Sequence, residues 1–167
     1  MSRWRYAYDN FEEILSAFFL AVMISALSLQ VVIRATSGGA VSWAEELSRY
    51  TFVWAVYIGA SLAAKRAAHV RISAQFMLFP PKVKVFFRLL ADAVWTGFNL
   101  FFAIYGLKML AEAFEYPEIS PTLGIAKAWV ETIIPLAFLL ISWRTVEIYI
   151  HNWHRLTEWV VEQEKMV

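Results

Sequence analysis

The residues with the clearest potential for chemistry stand at the start of one apolar segment. Glu45, Glu46 and Arg49 precede a charge-free run from residue 50 to residue 64. Charges clustered at the end of an apolar helix could fix that helix against a neighbouring one. They could equally cap and solvate an ordinary helix start, because carboxylates favour the positive end of the helix dipole. Ser42, with Glu45 three residues later, matches a capping box, so a helix start near residue 42 is the simpler interpretation.

The three histidines raise the possibility of a haem held between membrane helices. His69 follows a basic cluster in a predicted loop, whereas His151 and His154 lie together near one predicted helix end. Axial ligands must face each other from two helices, so this distribution does not favour a haem site. The sequence contains no cysteine, which excludes disulfides and thiolate chemistry. Phosphate-loop, HExxH and zinc-ligand spacings are also missing. We therefore expect no enzymatic activity and no cofactor.

Glu131 is the best candidate for an ionisable group on a transport pathway. Lys127 lies four residues before it, so an intrahelical ion pair accounts for this carboxylate without a function. A transporter in its own right is expected to show repeated or interrupted helices with ionisable groups near the midplane. No internal repeat is visible. The pattern favours a chain that supports a substrate pathway rather than one that contains it.

Composition and patterning predict an all-α integral membrane protein. The chain has 167 residues and is 60% hydrophobic, whereas soluble domains are roughly 45–50% apolar. Long apolar segments predict four transmembrane helices within one membrane domain, residues 1–167. Their approximate bounds are 11–34, 43–65, 83–113 and 124–152. Asn10 with Glu13 indicates the start of the first helix, and Pro135 predicts a kink in the fourth.

The distribution of basic residues predicts the orientation. Eleven of the fifteen lysines and arginines fall on one side of the predicted helices, which places both termini in the cytoplasm. Between helices 2 and 3, an amphipathic segment ending at the Pro80 and Pro81 pair is expected to lie along the membrane surface. Nearby basic residues are predicted to contact anionic lipid head groups: Lys65, Arg66, Arg71, Lys82 and Lys84. The net charge of +1 gives no reason to expect nucleic-acid binding.

Small residues at four-residue spacing predict close helix packing. One such face contains Ala55, Gly59 and Ala63, and another runs along the first helix at positions 17, 21 and 25. Trp54 lies deeper than the interfacial tryptophans and is interpreted as a packing or lipid-facing residue rather than part of a cofactor site.

The second helix and its flanks carry a family resemblance. The order of its motifs resembles the W-x-E-E-x-x-R, V-W, G-A and H-hydrophobic pattern of the small membrane subunit of tripartite ATP-independent periplasmic (TRAP) transporters, the DctQ-like family. The residues that match are Trp43, Glu45, Glu46, Arg49, Trp54, Gly59 and His69 to Ile72. In that family an acidic residue commonly follows the histidine, whereas this chain has Ser73.

The resemblance implies a partner rather than an activity. It implies a scaffold for a large, elevator-type membrane subunit that takes up an organic acid with sodium, after delivery by a periplasmic binding protein. The expected location is the bacterial inner membrane, with membrane lipids as further partners. Two alternatives remain open from the residues: a small dimeric exporter and a haem-binding electron carrier, each a free-standing four-helix protein.

Overall fold

The computed structural model describes residues 3–39, 41–66 and 80–158. The helices are α1 (Arg3–Ser37), α2 (Ser42–Lys65), α3 (Pro81–Glu115), α4 (Ala128–Glu131) and α5 (Ile133–Asn152), and a 3-10 turn follows at Trp153–Arg155. Within the described ranges the only β-type pairing is one isolated bridge, between Ile119 and Ala126. The prediction of an all-α chain is therefore confirmed. The predicted surface segment between helices 2 and 3 falls almost entirely outside the described residues.

In the described part of the chain, three helical stretches are long and apolar enough to cross a membrane: Asn10–Ser37, Lys82–Glu115 and Ala128–Glu158. They confirm the prediction of a membrane protein with several helices. The 24 residues of α2 would reach about 36 Å at 1.5 Å per residue, but its charge-free part is confined to residues 50–64. A fourth crossing by α2 stays a prediction.

The helices pack in the spatial order α1, α2, α5, α3, because the extensive contacts are those of α1 with α2, α2 with α5, and α5 with α3. Antiparallel packing joins α1 to α2, where the Ser16 hydroxyl donates to the Ala55 carbonyl at 3.1 Å. The central helices α2 and α5 run parallel, with the rings of Tyr57 and Phe138 6.2 Å apart. The two outer helices therefore each have a single helical neighbour along most of their length.

The outer helix α3 contacts α5 through a narrow seam. Asp92, Asn99 and Ala103 are buried on this seam, and Gly106 continues it one turn further. This spacing is close to a heptad, which keeps one side of a helix against one partner. Most other side chains of α3 are exposed, and many are large and apolar. The remaining surface of α3 is therefore open to lipid or to another protein.

The other outer helix, α1, uses a different face from the one the small-residue pattern indicated. Positions 17, 21 and 25 are exposed, whereas Glu12 and Ala26 are buried against the rest of the chain. Large apolar residues elsewhere on α1, including Ile14 and Val31, are exposed as well. The small-residue stripe of α1 thus does not mediate packing inside this chain.

The predicted start of the first helix and the predicted cap of the second are wrong. Helix α1 begins at Arg3 rather than near residue 11, so Asn10 lies in its interior and does not cap it. No proline or glycine interrupts residues 3–10, so the helix continues through them. Val41, rather than Ser42, is the N-cap residue of α2, and no side chain caps that end. Glu45 bonds instead to Arg49 one turn later.

The last predicted helix is interrupted, as Pro135 suggested. The short α4 ends at Glu131, Thr132 forms a turn, and α5 then continues to Asn152. Proline has no N–H to donate to the carbonyl of Glu131, four residues earlier, and this removes one helical hydrogen bond at the interruption. The helix also begins at residue 128 rather than 124, because the preceding residues belong to an ordered loop.

Candidate functional site

A buried ion pair connects α1 to α5. Glu12 is fully buried and Arg144 is 1% exposed. The Arg144 Nε donates to Glu12 Oε1 at 2.5 Å, and Nη2 donates to Oε2 at 3.0 Å. The pair is therefore bidentate, which is the geometry that best compensates a guanidinium and a carboxylate for loss of water.

Three further side chains complete this cluster, which we call the Glu12 clamp. From α2, Lys65 Nζ lies 3.5 Å from Glu12 Oε2, and the Ser61 hydroxyl donates to Oε1 at 3.4 Å. From α5, Glu147 accepts from Arg144 Nη1 at 2.5 Å. Two carboxylates and two cations from three helices thus neutralise one another. The Glu12 clamp fixes α1, α2 and α5 at one end.

Tyr8 covers this cluster from α1. Its ring lies 4.5 Å from the Arg144 guanidinium carbon, within the range of a cation–π contact. Its hydroxyl donates to Glu147 at 3.1 Å and accepts from the indole N–H of Trp143 at the same distance. The first turns of α1, which precede the predicted helix start near residue 11, therefore contribute to the packing of α5.

Sequence reasoning missed the central pair of the Glu12 clamp. Glu12 stands just before the first long apolar run, and Arg144 is one of the eleven basic residues on the predicted cytoplasmic side, so neither is singled out by the sequence. The available signal was an arginine inside the predicted fourth helix, since such charges usually pair within a bundle. Lys65 and Arg66, predicted as lipid contacts, instead bond within the chain: Lys65 to Glu12, and Arg66 to Glu13 at 2.6 Å.

A second polar site lies at the opposite end of α2, and we call it the Glu46 latch. The Glu46 carboxylate is nearly buried and accepts from the Tyr50 hydroxyl at 2.5 Å. Its other oxygen accepts from the Thr122 hydroxyl and from the Thr122 backbone N–H, the latter at 3.2 Å. Glu46 therefore attaches the loop after α3 to the first turn of α2. Nothing in the sequence around Glu46 selects Thr122 as its partner.

The loop that the Glu46 latch holds is itself ordered. Ser120 donates its N–H to Ile125 at 2.8 Å, and Gly124 takes a φ of 68°, which favours glycine. Lys127 Nζ lies 2.9 Å from Glu118, whose carboxylate raises the pKa of Lys127. The predicted pairing of Lys127 with Glu131 is therefore wrong. Lys127 lies before α4 and turns toward the loop, and Glu131 is exposed.

The other predicted site residues of α2 fall into an exposed group and a packed group. Trp43 is exposed at the start of the helix, and Glu45 and Arg49 form an exposed ion pair at 3.2 Å. In contrast, the ring of Trp54 lies 5.2 Å from that of Phe19 and joins α2 to α1. Trp54 therefore takes part in the packing between α1 and α2.

Gly59 also contributes to the contact between α1 and α2. A Cβ atom there would lie 3.6 Å from the Ser16 hydroxyl oxygen, which is an ordinary contact distance. His69 and Arg71 lie outside the described residues. Lys82 is exposed, and Lys84 is partly buried.

A third polar contact joins the second antiparallel pair of helices. The Tyr149 hydroxyl of α5 donates to the buried Asp92 carboxylate of α3. Asp92 thus has a partner on another helix, so it takes part in tertiary packing.

These contacts define the class of the protein. In the described part of the chain, no group of three or more His, Asp or Glu side chains could hold a metal ion. His151 and His154 are exposed near the end of α5. The Glu12 clamp, the Glu46 latch and Asp92 all connect elements of the chain to one another. This is a helical membrane protein whose buried polar groups hold its own elements together.

Comparison with known proteins identifies the family. Residues 23–155 match the family model of the tripartite ATP-independent periplasmic transporters, DctQ component. This match covers most of the chain, so the protein belongs to that family and is a TRAP transporter small permease subunit. The family assignment drawn from the second helix is confirmed. Its relatives are transporter subunits, which favours this interpretation over the exporter and haem alternatives.

Individual relatives agree with the assignment. The chain is 27% identical over 140 residues to the sialic acid TRAP transporter small permease protein SiaQ of Vibrio cholerae, covering 83% of this chain and 79% of the relative. It is 29% identical over 96 residues to the C4-dicarboxylate TRAP transporter small permease protein DctQ of the same organism, covering 58% of this chain and 41% of that protein. It is also 24% identical over 139 residues to the sialic acid TRAP transporter permease protein SiaT of Haemophilus influenzae, covering 83% of this chain and 22% of the relative.

Proposed function

We propose that this subunit is a scaffold that holds a larger permease subunit in the inner membrane. The larger subunit would take up an organic acid together with sodium, after delivery by a periplasmic binding protein. The observation that carries the proposal is the contrast between the buried charged side chains and the exposed apolar ones. Buried charges in the Glu12 clamp and the Glu46 latch serve the chain's own packing, while α1 and α3 leave wide apolar surfaces exposed.

The lengths of two relatives support a large partner. The matched segment is 22% of SiaT and 23% of the isethionate TRAP transporter permease protein DctMQ of Oleidesulfovibrio alaskensis. In each, a region similar to this chain is part of a much longer permease. A separate small subunit would make the equivalent contacts between chains instead of within one, through the exposed surfaces of α1 and α3.

The packing of α2 supports its assignment as a fourth crossing. It runs parallel to α5 and extends from the loop at Thr122 to the level of Arg144. Glu46 meets Thr122 at one end, and Lys65 approaches the same carboxylate as Arg144 at the other. If α4 and α5 cross the bilayer, α2 lies at the same depth. If the side of the membrane with most basic residues is the cytoplasmic side, both termini are cytoplasmic and the Glu46 latch is periplasmic.

The exposed pair of Glu45 and Arg49 is the part of the periplasmic end best placed to meet the binding protein. Glu46 is already bonded within the chain, whereas the side chains of Glu45 and Arg49 are 62% and 68% exposed. Charge reversal by Glu45→Arg should lower substrate uptake without reducing the amount of complex. The swap E45R/R49E should restore the intrahelical pair but not the uptake. Normal uptake in Glu45→Arg would refute the docking role.

At the cytoplasmic end, the exposed Lys82 is the described candidate for contact with anionic lipid. Arg66 already bonds to Glu13, so it provides a matched control. Lys82→Gln should reduce phosphatidylglycerol retained through purification more than Arg66→Gln. Equal retention in the two proteins would argue against the lipid contact.

The experiment that tests the scaffold itself is a mild-detergent purification. The chain carries a tag at its C-terminus, is expressed with its native neighbours, and every copurifying protein is identified. An equal amount of a large multi-spanning protein is the expected result. Recovery of this chain alone as a monodisperse homodimer, or with a haem Soret band, would contradict the proposal.

A further inference from the structure

Glu12 is a fully buried carboxylate that receives positive charge from two different helices. Lys65 comes from α2 and Arg144 from α5, and these helices occupy very different positions along the chain. We propose that the Glu12 clamp forms in a fixed order during assembly. Lys65 neutralises Glu12 when α1 and α2 pair, and Arg144 becomes its principal partner when α5 packs against them.

The geometry of α1 and α2 supports the first step. A short connection, residues 38–41, joins the two helices into an antiparallel pair. In the folded chain the packing of α2 against α1 places the Lys65 ammonium 3.5 Å from Glu12 and the Ser61 hydroxyl 3.4 Å from it, and neither contact involves a residue of α5. Both distances are longer than those to Arg144, as expected for a weaker partner. An unpaired carboxylate in an apolar environment is costly, so this contact would stabilise the pair before α5 arrives.

The arrangement within α5 supports the second step. Arg144 and Glu147 lie three residues apart on one helix and are 2.5 Å from each other through Nη1. The helix can therefore approach as a neutral unit. The Nε and Nη2 atoms of Arg144 remain directed at Glu12, while Nη1 keeps its bond to Glu147. No stage of assembly then has to bury a net charge.

The neighbouring residue Arg66 provides a matched control. It carries the same charge at the same end of α2, but it bonds to Glu13, whose side chain is 53% exposed, rather than to the buried Glu12. Lys65→Gln and Arg66→Gln therefore weaken the positive-inside signal equally. Only Lys65→Gln removes the early partner of the buried carboxylate.

The test uses the full-length chain expressed with its native neighbours. Newly made protein is pulse-labelled, and the fraction that survives a chase in the membrane is measured. The thermal unfolding midpoint of the purified complex is measured in parallel. Lys65→Gln should lower survival several-fold while leaving the midpoint nearly unchanged, and Arg66→Gln should change neither. Arg144→Gln should lower the midpoint, because it removes the final partner.

The double variant E12Q/K65Q decides whether Lys65 acts through Glu12. It removes the carboxylate together with its early partner, so survival should return toward that of the unmodified chain. Equal survival of Lys65→Gln and Arg66→Gln would overturn the proposal. So would a fall in midpoint for Lys65→Gln as large as that for Arg144→Gln, or a failure of E12Q to restore survival.

Discussion

Replacing Gly106 by leucine would test the close contact between α3 and Pro135 in the first turn of α5. A Cβ atom at position 106 would lie 3.3 Å from the Cβ of Pro135 and 3.6 Å from its Cα. These atoms belong to a proline ring and to the helix backbone, so they cannot rotate away as a flexible side chain could. Gly97 lies on the same helix with nothing within 4 Å of its Cβ position, and provides the matched control.

The expected effect follows from these distances. Carbon atoms attract each other best at about 3.5–4.0 Å, so even the first added carbon forces a small shift, and a leucine side chain must displace the helix. Overpacking of this kind costs about 1–3 kcal/mol. Removing glycine from a helix returns about 0.5–1 kcal/mol, but that gain applies equally at both positions and cancels in the comparison. Gly106→Leu should therefore be about 1–3 kcal/mol less stable than Gly97→Leu.

Thermal unfolding followed by tryptophan fluorescence in detergent would measure this difference. For a chain of this length each 1 kcal/mol shifts the midpoint by about 2–4 °C. Gly106→Leu should unfold several degrees below Gly97→Leu, and Gly106→Ala should show a smaller shift in the same direction. Identical midpoints for the two leucine variants would show that α3 and α5 do not require this close approach.

Two further substitutions test the polar contacts between elements. Tyr149→Phe removes the hydroxyl donor to buried Asp92 and should cost about 1–3 kcal/mol in thermal stability, whereas Tyr116→Phe on an exposed ring should cost almost nothing. If the two phenylalanine variants were equally stable, the contact to Asp92 would not contribute. Glu46→Gln weakens the charged hydrogen bonds of the Glu46 latch and should speed proteolysis of the loop after α3, while Glu45→Gln should not. Unchanged cleavage of Glu46→Gln would show that the loop is held by other contacts.

Local features of the sequence predicted much of the fold. Long apolar segments predicted the helices, and Pro135 predicted the interruption near the start of the last one, because these properties depend on residues close together in the chain. The ends of the helices were less accurate. The first helix continues back to Arg3, since a possible cap at Asn10 does not end a helix when the preceding residues can also be helical.

The candidate site was predicted only in part. The exposed pair of Glu45 and Arg49 was found because its members are one turn apart on the same helix. The Glu12 clamp was not found, because Glu12 and Arg144 are 132 residues apart and the sequence around each gives no indication of its partner. Likewise, Lys127 has acidic residues on both sides of it in sequence, and only the course of the loop selects Glu118.

The sequence by itself determined that this is a helical membrane protein of the DctQ family. Hydropathy and a motif confined to one helix and its flanks are local properties, so they can be recognised without knowledge of the packing. Only the tertiary structure decided the order of the helices and the partners of Glu12, Glu46 and Asp92. A charge buried between helices must be compensated across space, and that choice depends on which helices meet.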